Sequence, residues 1–324
     1  MTLFRRLAYA ALTLAFLHTV FGGVVRISGS GMGCGDNWPK CYGEWFPALG
    51  RAELVIEVTH RYFAAALLTV VAAVVVLALV RRREPGVGGR GGVLRAASLA
   101  LALVVSAALL GAVTVFVGNT PAATAAHKVL AAVTLAVLAA TVVRAGGLGG
   151  TRALAERGTA RAARGARAGA ALALLAVLMG ALTAKVPGAA VACQGFPLCG
   201  DGSLGGGAQH VQLTHRVIAY LLAFHLLGLA VAFSRRRESP VVLRAARVAA
   251  ALVLVQIALA ASMVLLHLPA VLRSLHQATG LALWTATFTL AYLARQASAE
   301  RAPAGDAAHA VGDRGAPLVA GTRP

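Results

Sequence analysis

The chain has 324 residues, 59% hydrophobic and only 13% charged, with a mean hydropathy of +0.77. Soluble globular domains are about half apolar and about a quarter charged, so that class is excluded. The formal net charge of +19 would suit nucleic acid, but the basic residues gather in alternate loops, where they report membrane topology instead.

Apolar runs that reach the roughly 18–20 residues needed to cross a bilayer predict eight helices, over about 7–27, 54–80, 94–117, 122–144, 168–186, 210–233, 241–266 and 271–294. The expected fold class is an all-α integral membrane protein. The first run follows Arg5 and Arg6 as a signal peptide would. It continues to Val25 without a small-residue cleavage pattern, and reads as a retained helix. The loop after it carries Cys34 and Cys41, and the second helix opens with 57-EVTHR-61. Arg81, Arg82, Arg83, Arg90 and Arg95 follow that helix; Pro121 and His127 open the fourth. Residues 145–167, which include Arg152, Arg157, Arg161, Arg164 and Arg167, are rich in Arg, Gly and Ala and read as a linker with no fold of its own. The fifth helix ends near Lys185, and the next loop carries Cys193 and Cys199. Then come 212-QLTHR-216, the run Arg235, Arg236, Arg237, Arg244 and Arg247, and His276 in the eighth helix. The tail 297–324, rich in Ala, Gly, Pro and Arg, reads as disordered.

Placing the Arg-rich loops and both termini in the cytoplasm satisfies the positive-inside rule. All four cysteines then lie outside, and the close pairs Cys34–Cys41 and Cys193–Cys199 read as structural disulfides.

The chain is a tandem repeat. Its first half reads Arg26, Cys34, 38-WPKC-41, 57-EVTHR-61, Pro121 and His127; its second reads Lys185, Cys193, 196-FPLC-199, 212-QLTHR-216, Pro269 and His276. Two parallel four-helix bundles are expected, 1–144 and 168–296, related by a pseudo-two-fold axis along the membrane normal.

Ionisable groups inside a membrane are costly and are functional candidates. His60, His127, His215 and His276 each fall near the outer end of an even-numbered helix, two per half. Two histidines facing each other in a four-helix bundle suit both axial positions of a haem iron. A lone intramembrane histidine is more often a helix-to-helix hydrogen bonder, but four at matching positions favour haem over that role. Zinc fits less well, since neither half supplies a clear third ligand. His18, His225 and His309 lack counterparts and read as structural or surface residues, as does His210; His267 is a weak candidate for proton handling.

Arg26, Arg61, Lys185 and Arg216 are candidate contacts for haem propionates, or they snorkel to the interface and do no more. Glu57 precedes His60 by three residues, and Gln212 holds the matching place before His215. The carboxylate can accept a proton or stabilise developing positive charge, and the amide cannot titrate. The first half is therefore the candidate reacting site and the second a resting redox site. The plainer alternative is that Glu57 pairs with Arg61 four residues on.

The run 22-GGVVRISGSGMGCGDNWPKCYG-43, with 57-EVTHR-61, His127, 215-HR-216 and His276, resembles the haem A synthase family, bacterial type with eight transmembrane helices. The resemblance extends from the first helix to the eighth. One residue more than the common form stands between Asp36 and Trp38. The resemblance implies an oxidoreductase acting on a CH group, which oxidises a porphyrin methyl of haem O to a formyl group by successive hydroxylations. It implies haem O on His60 and His127, haem b on His215 and His276, and the catalytic carboxylate at Glu57. Implied partners are a haem O synthase, cytochrome oxidase assembly factors and membrane lipid, with no nucleic acid. With no mitochondrial presequence evident, a bacterial plasma membrane is the expected location. Rival readings are a di-haem electron-transfer cytochrome b, a membrane thiol oxidase using the cysteine pairs, and a transporter.

Overall fold

The structure is a computed structural model that describes residues 1–199 and 206–299. Among these, the α-helices are α1 Thr2–Ile27, α2 Ala52–Val80, α3 Val93–Phe116, α4 Pro121–Arg144, α5 Gly150–Ala155, α6 Ala160–Thr183, α7 Gly207–Arg235, α8 Pro240–Leu265 and α9 Ala270–Ala299. Pro121 and Pro240 open α4 and α8, where a missing N–H costs no helical hydrogen bond. Seven helices (α1 to α4 and α6 to α8) are long and apolar enough to cross a membrane.

The expected eighth span, α9, is 30 residues long but is not one of those seven. It carries Arg273, Ser274, His276, Gln277 and a ladder of threonines. Much of that polarity is turned inward. Thr287 and Thr289 are buried, and each donates its hydroxyl to the carbonyl one turn back, to Leu283 and Thr285, both at 2.7 Å. The buried Trp284 indole donates to the Ala132 carbonyl at 2.7 Å. Low hydropathy here reflects burial against protein.

The linker differs from expectation. Residues 150–155 form α5, and α6 begins at Ala160 instead of 168. Thr159 caps α6 by accepting from the Ala162 N–H at 3.1 Å. Its hydroxyl also donates to Glu238 at 2.6 Å, and Glu156 accepts from the Val241 N–H at 2.9 Å. Reading arginine and alanine as linker composition overlooks that both are strong helix formers once capped. Likewise α9 runs through 297–299, while residues 300–324, His309 among them, lie outside the described residues.

Packing follows the repeat. In the first half α1, α2, α3 and α4 pack in a ring that closes from α4 onto α1; in the second, α6, α7, α8 and α9 close from α9 onto α6. Between the halves α4 packs on α6, α9 on α1, and α4 on α9. Exchanging the halves maps this set of contacts onto itself, which is what a two-fold axis requires. Small buried residues at the junction, Ala132, Ala136 and Ala173, let the helices approach closely. The outer turns repeat bond for bond. Val117, Gly118 and Asn119 donate to Val113, Val115 and Thr114; Leu266, His267 and Leu268 donate to Ser262, Val264 and Met263. Asn119 and Leu268 are left-handed at φ 56° and 63°.

At the junction Gly23 of α1 leaves room for Gln277 of α9. A Cβ there would lie 2.0 Å from the Gln277 amide nitrogen, which also reaches the Thr19 carbonyl at 3.3 Å. Gly23→Val is expected to cost about 1–3 kcal/mol through overpacking, with most of it recovered in the Gly23→Val, Gln277→Ala double variant. Thermal unfolding in detergent checks both; additive losses in the double variant would show that the two side chains do not meet.

Candidate functional site

The outer loops are held by the helices that carry the histidines. Cys34 pairs with Cys41, and Cys193 with Cys199. The Cys34 N–H donates to Glu57 Oε2 at 2.9 Å, and the Cys193 N–H to Gln212 Oε1 at 2.6 Å. Glu57 and Gln212 are equally buried, at 5% exposure. The Glu57–Arg61 pair is present, with Arg61 Nη2 2.5 Å from Oε1. Arg61 also donates to the carbonyls of Asn37, Pro39 and Lys40 at 2.8 to 3.0 Å. Arg216 donates to those of Cys193, Gly195, Pro197 and Leu198 at 2.7 to 3.3 Å. Positions i and i+4 of each motif thus face the disulfide loop, and the guanidinium donors of Arg61 and Arg216 are committed to its carbonyls. Among the described residues, Arg26 and Lys185 make no such contacts with the loops.

The histidine between these two anchors packs against a glycine of a neighbouring helix. His60 lies against Gly22 of α1, where a Cβ would stand 3.0 Å from the ring. His127 lies against Gly111 of α3 and His215 against Gly180 of α6, with corresponding distances of 3.3 and 3.1 Å. In all three the Nδ1 is buried without a partner. Within each half the two imidazoles come from helices of one four-helix ring, His60 on α2 with His127 on α4, and His215 on α7 with His276 on α9. Imidazoles paired in a bundle of apolar helices, three of the four with an unpartnered buried Nδ1, fit a haem iron with its two imidazole ligands and apolar surround.

The halves differ in three further side chains. His18 of α1, expected to be merely structural, stacks on His60 with ring centroids 4.2 Å apart, and its Nε2 is buried without a partner. Its lack of a repeat counterpart keeps it out of any candidate set built on the repeat. Gln256 of α8 places its amide nitrogen 3.1 Å from His276 Nδ1 and 3.2 Å from Nε2. Counting back from the matching outer turns, Ala107 stands in its place in the first half. Lys128 follows His127 where Gln277 follows His276. A polar residue inside an apolar span is itself the signal that would have found Gln256, Lys128 and Gln277.

Lys185, just beyond α6, donates to the Asn119 carbonyl at 3.4 Å. Burial, and then the nearby Arg26 charge, hold its ammonium below the usual lysine pKa. Arg26 Nε is buried without a partner. His225 is structural as expected, its Nε2 lying 2.8 Å from the Gly165 carbonyl. His210 Nδ1 lies 2.9 Å from the Gly206 carbonyl.

Comparison with known proteins bears on this site. The cytochrome oxidase assembly protein family COX15-CtaA matches residues 5–55 and 50–288. The Heme A synthase of Alkalihalophilus pseudofirmus is 30% identical over 211 residues, 64% of this chain and 68% of that protein. The Heme A synthase of Geobacillus kaustophilus is 51% identical over 53 residues, 16% of this chain and 17% of that relative. A Protoheme IX farnesyltransferase of Thermus thermophilus is 46% identical over 54 residues, 17% of this chain but only 9% of that protein.

Proposed function

Since the chain belongs to the COX15-CtaA family of cytochrome oxidase assembly proteins, we propose that it is a haem A synthase, oxidising a methyl group of haem O to a formyl group by successive hydroxylations. The observation that carries this reading is the pair of imidazoles with unpartnered Nδ1 atoms in the first bundle, matched in position by His215 and His276 in the second, with the motif carboxylate Glu57 only in the first. The Heme A synthase relatives support it.

His60 and His127 hold the haem O iron; His215 and His276 hold a resident haem b, whose redox chemistry is supplied by the cofactor itself. Gly22, Gly111 and Gly180 let the imidazoles lie close against neighbouring helices and so set their ring planes. Phe21 and Phe63, edge to face at 5.4 Å beside His60, keep the first site apolar. Glu57 supplies the negative charge that offsets positive charge developing at the methyl carbon, or takes its proton. Arg26 and Lys185 take propionates. Each half is a four-helix unit, with α9 as the eighth span, and both termini face the cytoplasm of a bacterial plasma membrane. The similarity to a farnesyltransferase acting on protohaem supports a haem O synthase as the partner that supplies substrate.

The test is haem extraction and chromatography from the purified protein, produced with and without a haem O synthase. Haem O and haem A appearing only with the synthase is the expected result. Haem b alone in both preparations would favour the electron-transfer cytochrome instead.

A further inference from the structure

Four cations meet at the outer end of the junction, two from each half. Gln277 of α9 reaches Thr19 and Gly23 of α1, and these helices run antiparallel. One turn further outward on each helix stand Arg273 and Arg26. The pseudo-two-fold axis packs α4 on α6 in the same way, with Lys128 in the place of Gln277 and Lys185 just past the end of α6.

Among the described residues no carboxylate pairs with any of the four; the ion pairs are Arg51–Glu53, Arg61–Glu57 and Arg81–Glu84. Arg26 Nε is buried with no acceptor, and among the described residues the hydrogen bond these four side chains make is from Lys185 to the Asn119 carbonyl at 3.4 Å. Cations that merely snorkel would splay apart toward lipid headgroups. Here two from each bundle converge on the seam, where like charges repel and desolvation is unrelieved. Such an arrangement calls for anions from outside the chain.

We propose that the seam is one anion site built jointly by the two halves, and that it takes porphyrin propionates, each half's porphyrin drawing on cations of the other half. This rests on the porphyrin reading above. The carboxylate class follows from sequence adjacency: Lys128 directly follows His127, and Arg273 precedes His276 by three residues. In the second half a cation therefore shares the helix face of a candidate iron ligand, one turn away; in the first, Lys128 stands next to its ligand in sequence, on an adjoining face of α4. Two porphyrins bring four carboxylates to four cations.

The test uses the full chain in neutral detergent, freed of haem and titrated with haemin and with haemin dimethyl ester, whose propionates are uncharged. His215→Ala with His276→Ala restricts binding to the first half. In that background Arg273→Gln, a change in the other half, is expected to weaken haemin binding about tenfold, as loss of a charge-assisted hydrogen bond would. Ester binding should be unchanged, and Arg273→Lys should restore most of the loss. Equal haemin affinity with and without Arg273→Gln overturns the proposal. So does a fall in acid and ester together that Arg273→Lys does not repair, since that reports damaged packing. An anionic phospholipid that co-purifies with the parent and is lost in Arg273→Gln, with haemin binding unmoved, assigns the seam to lipid and also overturns it. Failure of both haemin and its ester to give a bis-imidazole spectrum defeats the porphyrin reading itself.

Discussion

Glu57→Gln is expected to fold, keep its first outer loop in place and bind haem, yet lose haem A formation by about 10²–10⁴-fold, the range for a displaced acid–base group. The second half supplies the reason the variant should fold. Gln212 already holds the Cys193 amide as Glu57 holds the Cys34 amide, at the same burial, beside an arginine that grips the same kind of loop. An amide at 57 can accept from Cys34 and sit next to Arg61. What it cannot do is carry charge or a proton. Glu57→Ala is the contrasting variant: it leaves Arg61 without its carboxylate, and breaking a pair this buried costs about 3–5 kcal/mol. The readouts are the melting temperature and the ratio of haem O to haem A by chromatography. A normal haem A yield from Glu57→Gln would reduce the residue to a loop anchor.

The histidines should separate by half. Replacing His215 or His276 with Ala is expected to remove the haem b absorption from the purified protein almost completely. Replacing His60 or His127 should leave that absorption in place and abolish haem A formation. The structural ground is that each pair comes from helices of one four-helix ring. Pigment analysis of the four single variants decides it. If His60→Ala stripped haem b while His215→Ala spared it, the assignment of halves would be reversed.

Most of the architecture can be read from the chain because helices able to cross a membrane are written in long apolar runs. The region after Arg144 misleads for a local reason: a composition that resembles a flexible linker becomes helix when Thr159 caps it and Glu156 ties it to the next loop. The four candidate ligands are legible because a repeat marks them twice. That same filter hides His18, Gln256, Lys128, Arg273 and Gln277, which occur in one half alone. The loop contacts of Glu57 and Arg61 span more than twenty residues of sequence. Spacing along one helix places the carboxylate beside the histidine; only the folded loop shows that the Cys34 amide and Arg61 hold it there.

The seam carries one more implication. Because α4 meets α6 as α9 meets α1, with α4 on α9 across the axis, the surfaces joining the halves are the same surface used twice. A self-complementary contact of that kind is how identical subunits form a closed pair. The single chain therefore has the form that two copies of one four-helix unit take in a closed pair, here joined through α5. With both units in one chain, one position can differ between them while the packing stays matched, as the carboxylate at 57 and the amide at 212 do.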